Sequence, residues 1–419
     1  MNKIRKTPKK RQFETLWLWK FKLTPPGRFL LAALFLSASM SWISTGVPIF
    51  HLTCGLFGLF TVAVAAGFLL RPRIEVTGQF PPKAKAGQCV TGVFVLTNRS
   101  RLPACQVSAG YFDLPPSLQE IPVDEIHPYV PRGESVSAPV EIRPLKRGYY
   151  LLPPLKPYTT FPFHIWRTRA RAAVSPGTLL VLPDFQPLDG LDVPGRIRYQ
   201  PGGIALTSQV GESPEYVGNR NYRPGDPMRR IDFRSWGRLA RPVIREFQEE
   251  YYCRIALVLD TFIPPGRKEK AEGFPDLEAA VSLAASIADT LSRGEYIMDV
   301  FAAGPELYVF RAGRHTAHLE NVLEILACVG ACRKNPFETV APALAEELHN
   351  ISGVVCVLLD WDKSRERLIR TAAEAGCNIK VLIVCAGETT EPLAGAAPYA
   401  DSVIQFTPEE VQGGGLGVL

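Results

Sequence analysis

The stretch from Phe29 to Leu70 contains no Asp, Glu, Lys or Arg, and His51 is its only ionisable side chain. A core helix of a soluble domain does not need an apolar run of this length, whereas two membrane-crossing helices of about 20 residues each do. Gly46-Val47-Pro48 interrupts the run near its middle, because glycine and proline disfavour a continuous helix. The sequence therefore predicts two transmembrane helices within 29–70, at 29–45 and 49–70.

Charges on either side of the apolar run predict its orientation. Residues 1–28 carry nine Lys or Arg against one acid, and Arg71 and Arg73 follow the second span, whereas the connecting turn is uncharged. Positively charged flanks stay on the cytoplasmic side of a membrane. A cleaved signal peptide fits poorly, because the apolar run continues well past any cleavage site. We expect a basic cytoplasmic tail over 1–28, a multi-pass protein of the cytoplasmic (plasma) membrane, and soluble domains in the cytoplasm.

The net charge of +6 combines regions of opposite sign. The tail contributes +8 and residues 219–245 contribute +6, so the rest of the chain carries −8. A nucleic-acid-binding protein would carry positive charge on its folded domains, and here those domains are acidic. The nine cysteines are scattered without a CxxC pair, which is typical of free thiols in a reducing compartment.

Residues 73–185 are predicted to form a small antiparallel β-sandwich. Of the 37 prolines, 23 lie between Pro72 and Pro227, a density that excludes long helices. Apolar and polar side chains alternate from Ser135 to Arg143, as in a strand with one buried face. Residues 186–253 are then interpreted as a linker that includes an arginine-rich segment.

Residues 254–408 show the pattern of a doubly wound α/β domain. Two continuous apolar runs end in acids, at Asp260 and Asp360, and a third covers 379–385. Strands that are apolar on both faces and alternate with helices form parallel sheets. The intervening segments with helical spacing are 276–293, 318–329 and 363–375. Residues 409–419, which are rich in glycine, are expected to form a flexible tail.

Within residues 219–245, arginine alone supplies the positive charge. Its planar guanidinium binds carboxylates or phosphates at two points and stacks on aromatic rings. Pro224-Gly225-Asp226 is a turn signature, and Asp226 is placed to cap a helix that begins at Pro227. Nine side chains of this segment are candidates for interaction or for bracing the domains: Arg220, Arg223, Asp226, Arg229, Arg230, Asp232, Trp236, Arg238 and Arg241.

Three roles are open for these arginines. They can pair with internal acids such as Asp226, Asp232 and Glu246 and fix the junction between domains. They can dock an acidic protein partner, a role that suits arginine together with Trp236. They can bind phosphate groups or nucleic acid, which the acidic remainder of the soluble portion disfavours.

The same segment resembles a known family signature. Arg223-Pro-Gly-Asp226, the run Arg229–Asp232, and Trp236 with the arginines that follow it resemble the bacterial domain-of-unknown-function fifty-eight family. Weaker similarity includes Lys146-Arg147-Gly148-Tyr149. At Phe161-Pro-Phe-His164 the chain departs from the Asp-Pro-Phe-Gly of relatives, which is expected to alter a local turn.

The resemblance implies a C-terminal domain similar to von Willebrand factor A. Such domains often hold a divalent cation through Asp-x-Ser-x-Ser at the end of the first strand. Asp260 is present in this chain, but Phe262 and Pro264 stand at the hydroxyl positions, so the site is degenerate and no metal or other cofactor is expected. The resemblance also implies a MoxR-type AAA+ ATPase as partner, because the family is commonly encoded beside such ATPases.

The sequence contains no recognisable catalytic motif. No GxSxG or HExxH occurs, no P-loop follows the predicted strands, and His315 and His318 have no acid pair at metal-binding spacing. We therefore expect a membrane-anchored, non-enzymatic interaction or assembly factor that works with an AAA+ ATPase. The alternatives are a ligand-binding domain that depends on a divalent cation and, less favoured, an arginine-mediated binder of phosphate or nucleic acid.

Overall fold

The computed structural model describes residues 22–43, 47–121, 126–171, 177–192, 207–224, 226, 228–249, 254–264, 267–294, 296–303, 307–311, 319–335, 337–395, 398–400, 402–414, 416–417 and 419. The chain divides into two compact units. The first comprises Met1–Leu145 and Tyr149–Val181, and the second comprises Lys146–Gly148 and Leu182–Leu419. Residues 1–21 of the basic tail, His315 and His318 lie outside the described residues.

The first unit begins with two helices that contact each other, α1 (Pro25–Ile43) and α2 (Val47–Leu69). Among the described helices, one is long and apolar enough to cross a membrane, namely α2 from Pro48 to Leu69. Its described side chains are largely exposed, with Phe57 62% accessible, and an exposed apolar surface of this kind is typical of a membrane or interaction site. Helix α1 falls short of the same criterion, and the second span stays a prediction.

The rest of the first unit is built from short strands around one apolar core. Two four-stranded antiparallel sheets have the orders β1-β3-β7-β5 and β10-β9-β4-β6, and a three-stranded sheet has the order β2-β11-β8. The strands are β1 (Ile74–Gln79), β2 (Lys83–Lys85), β3 (Val90–Asn98), β4 (Ala104–Gly110), β5 (Leu118–Ile121), β6 (His127–Val130), β7 (Ser135–Pro144), β8 (Gly148–Leu152), β9 (Lys156–Thr159), β10 (Thr168–Arg169) and β11 (Gly177–Leu182). The alternation predicted for β7 is confirmed, because Ala138, Val140 and Ile142 are buried on one face.

The second unit contains a six-stranded sheet of order β16-β15-β14-β17-β18-β19, parallel except for the β15–β16 pair. Its strands are β14 (Arg254–Leu259), β15 (Ile297–Ala303), β16 (Leu307–Arg311), β17 (Gly353–Leu358), β18 (Asn378–Val384) and β19 (Ser402–Phe406). Helices cover both faces: α4 (Pro275–Arg293), α5 (Leu319–Cys328) and α8 (Pro408–Gly413) pack on one, α6 (Phe337–Glu347) and α7 (Lys363–Glu374) on the other. The mixed α/β content predicted from the alternating pattern is therefore present.

The carboxyl terminus differs from the predicted flexible tail. Helix α8 begins with a capping box formed by Thr407 and Glu410, and Val411 is buried against the core. The terminal residue Leu419 is also buried, and its backbone exchanges hydrogen bonds with Gly190 and Asp192. Glycine content alone suggested flexibility, but the apolar side chains between the glycines complete the core.

Candidate functional site

The arginine segment lies on a two-stranded antiparallel ribbon of the second unit. Strand β12 (Thr207–Asn221) pairs with β13 (Val243–Glu249), with Asn221 opposite Val243. A 3-10 helix (Met228–Arg230) and the short helix α3 (Phe233–Leu239) lie between the two strands. The segment interpreted as a linker is thus a hairpin whose end carries the predicted site residues.

One pair of these residues braces the turn. Arg220 donates two hydrogen bonds to the carboxylate of Asp226, at 2.6 and 2.7 Å, and the backbone nitrogen of Arg223 donates a third at 2.7 Å. The side-chain bonds from Arg220, together with the backbone bond from Arg223, lower the pKa of Asp226 to about 2. Asp226 was predicted to cap a helix, but its carboxylate is occupied by this turn.

The helix cap is Asp232 instead. Its carboxylate accepts hydrogen bonds from the backbone nitrogens of Arg234 and Ser235 at 3.2 and 3.3 Å, which fixes the first turn of α3. The hydroxyl of Ser235 and the amide of Asn219 donate to the same carboxylate at 2.8 and 3.0 Å. These side-chain bonds are the main cause of the lowered pKa of Asp232. Asp232 therefore ties α3 to strand β12.

The remaining predicted residues lie towards solvent. Trp236 is 38% accessible, and Arg223, Arg229, Arg238 and Arg241 are exposed. Arg230 is partly buried. The structure thus separates the nine candidates into an internal bracing set, Arg220, Asp226 and Asp232, the partly buried Arg230, and five residues that face outwards.

Apolar side chains accompany the exposed arginines. Phe233 is 70% accessible and stacks on Trp236, with ring centroids 6.0 Å apart, and Met228 and Leu239 are also exposed. Arg234 and Arg238 are exposed on the same helix as the two rings. We name this set the arginine–aromatic surface: Met228, Phe233, Arg234, Trp236, Arg238, Leu239 and Arg241. The nine predicted residues did not include Met228, Phe233, Arg234 or Leu239, although the spacing of three between Phe233, Trp236 and Leu239 signals one helix face.

A second polar cluster lies at the carboxyl ends of the parallel strands, where open α/β sheets bind ligands. Asp260, which follows β14, is fully buried. Its carboxylate accepts hydrogen bonds from the backbone nitrogens of Phe262 and Leu359 at 2.9 and 3.0 Å. Asp260 thereby joins the loops that follow β14 and β17.

A guanidinium occupies the position beside Asp260. Arg365 of α7 donates from Nε to Oδ2 of Asp260 at 2.8 Å, and its Nη1 contacts Oδ2 of Asp362 at 2.6 Å. The guanidinium of Arg365 lies 5.2 Å from the ring centroid of Phe337, and Arg365 is 2% accessible. Sequence reasoning missed Arg365, because nothing within α7 marks it as the partner of a residue far earlier in the chain.

These residues do not fit a divalent cation. The fixed positive charge of Arg365 opposes a second cation, and Phe262 and Pro264 offer no side-chain oxygen. Within the described ranges, no group of three or more His, Cys, Asp or Glu could hold a metal ion. The adjoining pocket, about 360 Å³, is lined by ion-paired groups such as Arg267, which contacts Asp276 at 2.6 Å.

Comparison with solved structures gives only remote likeness. A protein of unknown function from Porphyromonas gingivalis W83 is 13% identical, with 43% of this chain and 77% of that chain covered and a TM-score of 0.18. An inactive mutant of a GH20 exo β-N-acetylglucosaminidase from Vibrio harveyi is 11% identical, with 80% and 81% covered and a TM-score of 0.17. TM-scores this low carry no argument about fold or function.

A search of curated proteins finds no match. One family model does match, and it covers the hairpin end and most of the six-stranded sheet. Residues 218–401 match the family model described as protein of unknown function DUF58.

Proposed function

We propose that this protein is a membrane-anchored, non-enzymatic interaction factor that docks an acidic protein partner on its arginine–aromatic surface. The single observation that carries the proposal is the stacked pair Phe233–Trp236, exposed on a helix that also presents Arg234 and Arg238. Aromatic and arginine side chains dominate the binding energy of protein interfaces. Their combination on one short helix favours a protein partner.

The rigidity of the surface supports this role. The Asp232 cap and the Arg220–Asp226 pair hold α3 and the preceding turn in place before any partner arrives. A preorganised surface loses less conformational entropy on binding than a loose one. Burying each exposed aromatic side chain in an interface would contribute about 1.5–3 kcal/mol.

Charge specifies the partner class. Residues 219–245 carry +6, and internal acids engage Arg220 and Arg245. Arginines on the rim of an interface steer an acidic partner and reject a basic one. The family resemblance adds a MoxR-type AAA+ ATPase as the partner, working in assembly or remodelling of a client complex.

The proposal includes an arrangement at the membrane. The helices α1 and α2 would span the bilayer as a hairpin, with both ends and the folded units in the cytoplasm, as the positive flanks favour. The six-stranded sheet would be a von Willebrand factor A-like domain in which an arginine stands in place of the cation. No observation favours a cation-dependent ligand or an enzymatic activity as a second candidate.

The test uses the full-length protein crosslinked in bacterial membranes, followed by identification of the captured proteins. The wild type should capture an AAA+ ATPase. The variants Phe233→Ala/Trp236→Ala and Arg234→Glu/Arg238→Glu should each reduce its recovery about 30-fold or more, since hot-spot truncations cost about 2 kcal/mol or more.

A matched control carries the same change in charge elsewhere. Arg132 and Arg367 are exposed and lie outside this surface, so Arg132→Glu/Arg367→Glu should leave capture at the wild-type level. Failure of the wild type to capture any AAA+ ATPase would refute the partner. Equal loss in the test and control variants would refute the surface.

A further inference from the structure

The first unit contains an aromatic segment that lies against both of its helices. Phe161–Thr168 leads from β9 to β10, and its Trp166 forms a backbone bridge with Leu23, just before α1. The ring of Trp166 also packs edge to face on Phe60 of α2, with centroids 6.2 Å apart. Tryptophan is enriched at the boundary between a bilayer and water. This segment packs against the carboxyl-terminal half of α2, from Phe60 to Gly67.

Close backbone packing fixes the same contact near the carboxyl end of α2. A Cβ atom at Gly67 would lie 2.4 Å from Oγ1 of Thr168, so only glycine permits this approach. Thr24, before α1, donates its hydroxyl to the carbonyl of Ile165 at 3.1 Å. The ends of both helices are thus joined to the β-strands by specific contacts rather than by a loose linker.

Three cations gather at this junction. Nζ of Lys22 lies 5.8 Å from the ring centroid of Trp166, and Nε of Arg71 donates to the carbonyl of Arg169 at 2.5 Å. Burial lowers the pKa of Lys22, and the positive charges of Arg169 and Arg71 lower it further. Like charges held together repel, so binding of an anion at this place is favourable.

An apolar pocket of about 210 Å³ opens at the same end of α2. Helix α2 contributes Ala66, Gly67 and Leu70 to its lining, and Leu102, Cys105 and Phe161 line the side formed by the strands. In the chain, Arg71 lies directly between Leu70 and Pro72, which both line the pocket. The backbone of Arg71 therefore adjoins the pocket at the carboxyl end of α2.

A hydrogen-bond donor is also available there. Nε1 of Trp166 is buried and has no hydrogen-bond partner among the described residues. A buried donor without a partner is costly, and native proteins usually satisfy it with a ligand, a water molecule or another protein group.

We propose that one anionic phospholipid binds at this junction, with its phosphate on Lys22, Arg71 and Arg169 and the first part of an acyl chain in the pocket beside Leu70. A phospholipid is the one ligand class that presents an anion and a hydrocarbon chain at the depth where a membrane helix emerges. The inference rests on the membrane anchoring in the proposed function. It deepens that function, because a bound lipid would fix the depth and tilt of the β-strands at the membrane surface.

The test is native mass spectrometry of the full-length protein released from nanodiscs of phosphatidylglycerol mixed with phosphatidylcholine. The wild type should retain one phosphatidylglycerol in preference to phosphatidylcholine. Lys22→Gln/Arg71→Gln/Arg169→Gln should lose this lipid, with affinity falling about fivefold for each charge removed. Leu102→Trp, which fills the pocket without changing charge, should also weaken retention.

Arg99→Gln/Arg132→Gln/Arg143→Gln removes three other exposed arginines of the first unit and should retain the lipid. Lys22→Gln alone leaves every backbone contact in place and decides the question if the triple variant does not fold. Equal retention of both lipids, or full retention by Lys22→Gln, overturns the inference. Displacement of the lipid by millimolar inorganic phosphate would also overturn it, because the site would then recognise a free anion.

Failure of the proposed membrane anchoring gives a result that differs from failure of lipid binding. If the wild-type protein were extracted from membranes by alkaline carbonate, the proposed membrane anchoring would fail. A protein that resists extraction but shows no lipid preference would contradict this inference alone.

Discussion

Arg365 and Asp260 form a fully buried ion pair in which Nε and Nη2 of the guanidinium lie 2.8 and 2.6 Å from the same carboxylate oxygen. The residues come from the first turn of α7 and the end of β14, which are neighbours at the carboxyl edge of the sheet. Arg365 supplies, inside the protein, the positive charge that a divalent cation would supply in a site of oxygen ligands. The loops that follow β14 and β17 are held together because their backbone nitrogens, of Phe262 and Leu359, donate hydrogen bonds to the Asp260 carboxylate.

Removing one member of this pair should be strongly destabilising. Arg365→Met leaves the Asp260 carboxylate buried without its counter-charge, which costs about 3–5 kcal/mol. Denaturant unfolding of the full-length protein in detergent, followed through the second unit, measures this. Arg367→Met on the exposed side of the same helix should change the unfolding free energy by less than about 0.5 kcal/mol. Equal effects of the two variants would contradict the assigned role of Arg365.

A second buried arginine should show a similar cost. Arg147 is 3% accessible, contacts Glu278, and donates to the carbonyls of Leu326 and Val329 at 2.8 Å each, which satisfies the end of α5. Arg147→Met should lower the unfolding free energy of the second unit by about 3–5 kcal/mol.

The neighbour Lys146 is the control for Arg147. It pairs with Glu269, which is largely exposed, and exposed pairs contribute about 0–1 kcal/mol. Lys146→Met should therefore have little effect on thermal unfolding. A small effect of Arg147→Met on the unfolding free energy would contradict this prediction, because water would then satisfy the carbonyls of Leu326 and Val329.

The turn that ends in His164 makes a conformational prediction. His164 has φ of +55°, a left-handed conformation that costs most L-residues about 1–2 kcal/mol. Its Nδ1 lies 3.0 Å from the hydroxyl of Thr160, which helps to hold the ring in place. His164→Val should lower the melting temperature, because a branched Cβ is least tolerated there. His164→Gly should be close to wild type, and a melting point as low as that of His164→Val would contradict the argument.

The Arg220–Asp226 pair predicts acid sensitivity of the hairpin end. The pKa of Asp226 is lowered from 3.8 to about 2 in the folded protein, so this group adds stability above pH 3.8 and loses it as the pH falls towards 2. The melting temperature of the wild type should therefore decrease more steeply between pH 4 and pH 2 than that of Asp226→Asn. Asp189→Asn, at an exposed aspartate, should keep the wild-type slope.

Local pattern predicted much of the second unit. The segment 363–375 is helix α7 at Lys363–Glu374, and 379–385 is strand β18 at Asn378–Val384. These elements bury apolar side chains at intervals that the sequence alone displays. The same logic explains the alternation in β7, where one face packs on the core and the other meets water.

Two features of the fold differ from the interpretation of the sequence, because they depend on contacts between residues far apart in the chain. The hairpin of β12 and β13 lies in the segment interpreted as a linker, and its two strands pair although the arginine segment separates them in the chain. The tail was expected to be flexible, although Leu419 pairs with Gly190 far earlier in the chain. Both features arise from pairing across large sequence separations.

The sequence by itself determined the apolar helix, the α/β pattern, the family match and the concentration of arginine between residues 219 and 245. Only the tertiary structure decided which of those arginines are consumed by internal acids, and that Arg365 lies against Asp260. The physical reason is how far apart in the chain the residues lie that determine each feature. Hydrophobic periodicity is a property of neighbouring residues, whereas the partner of a buried charge is chosen by which elements the folded sheet brings into contact.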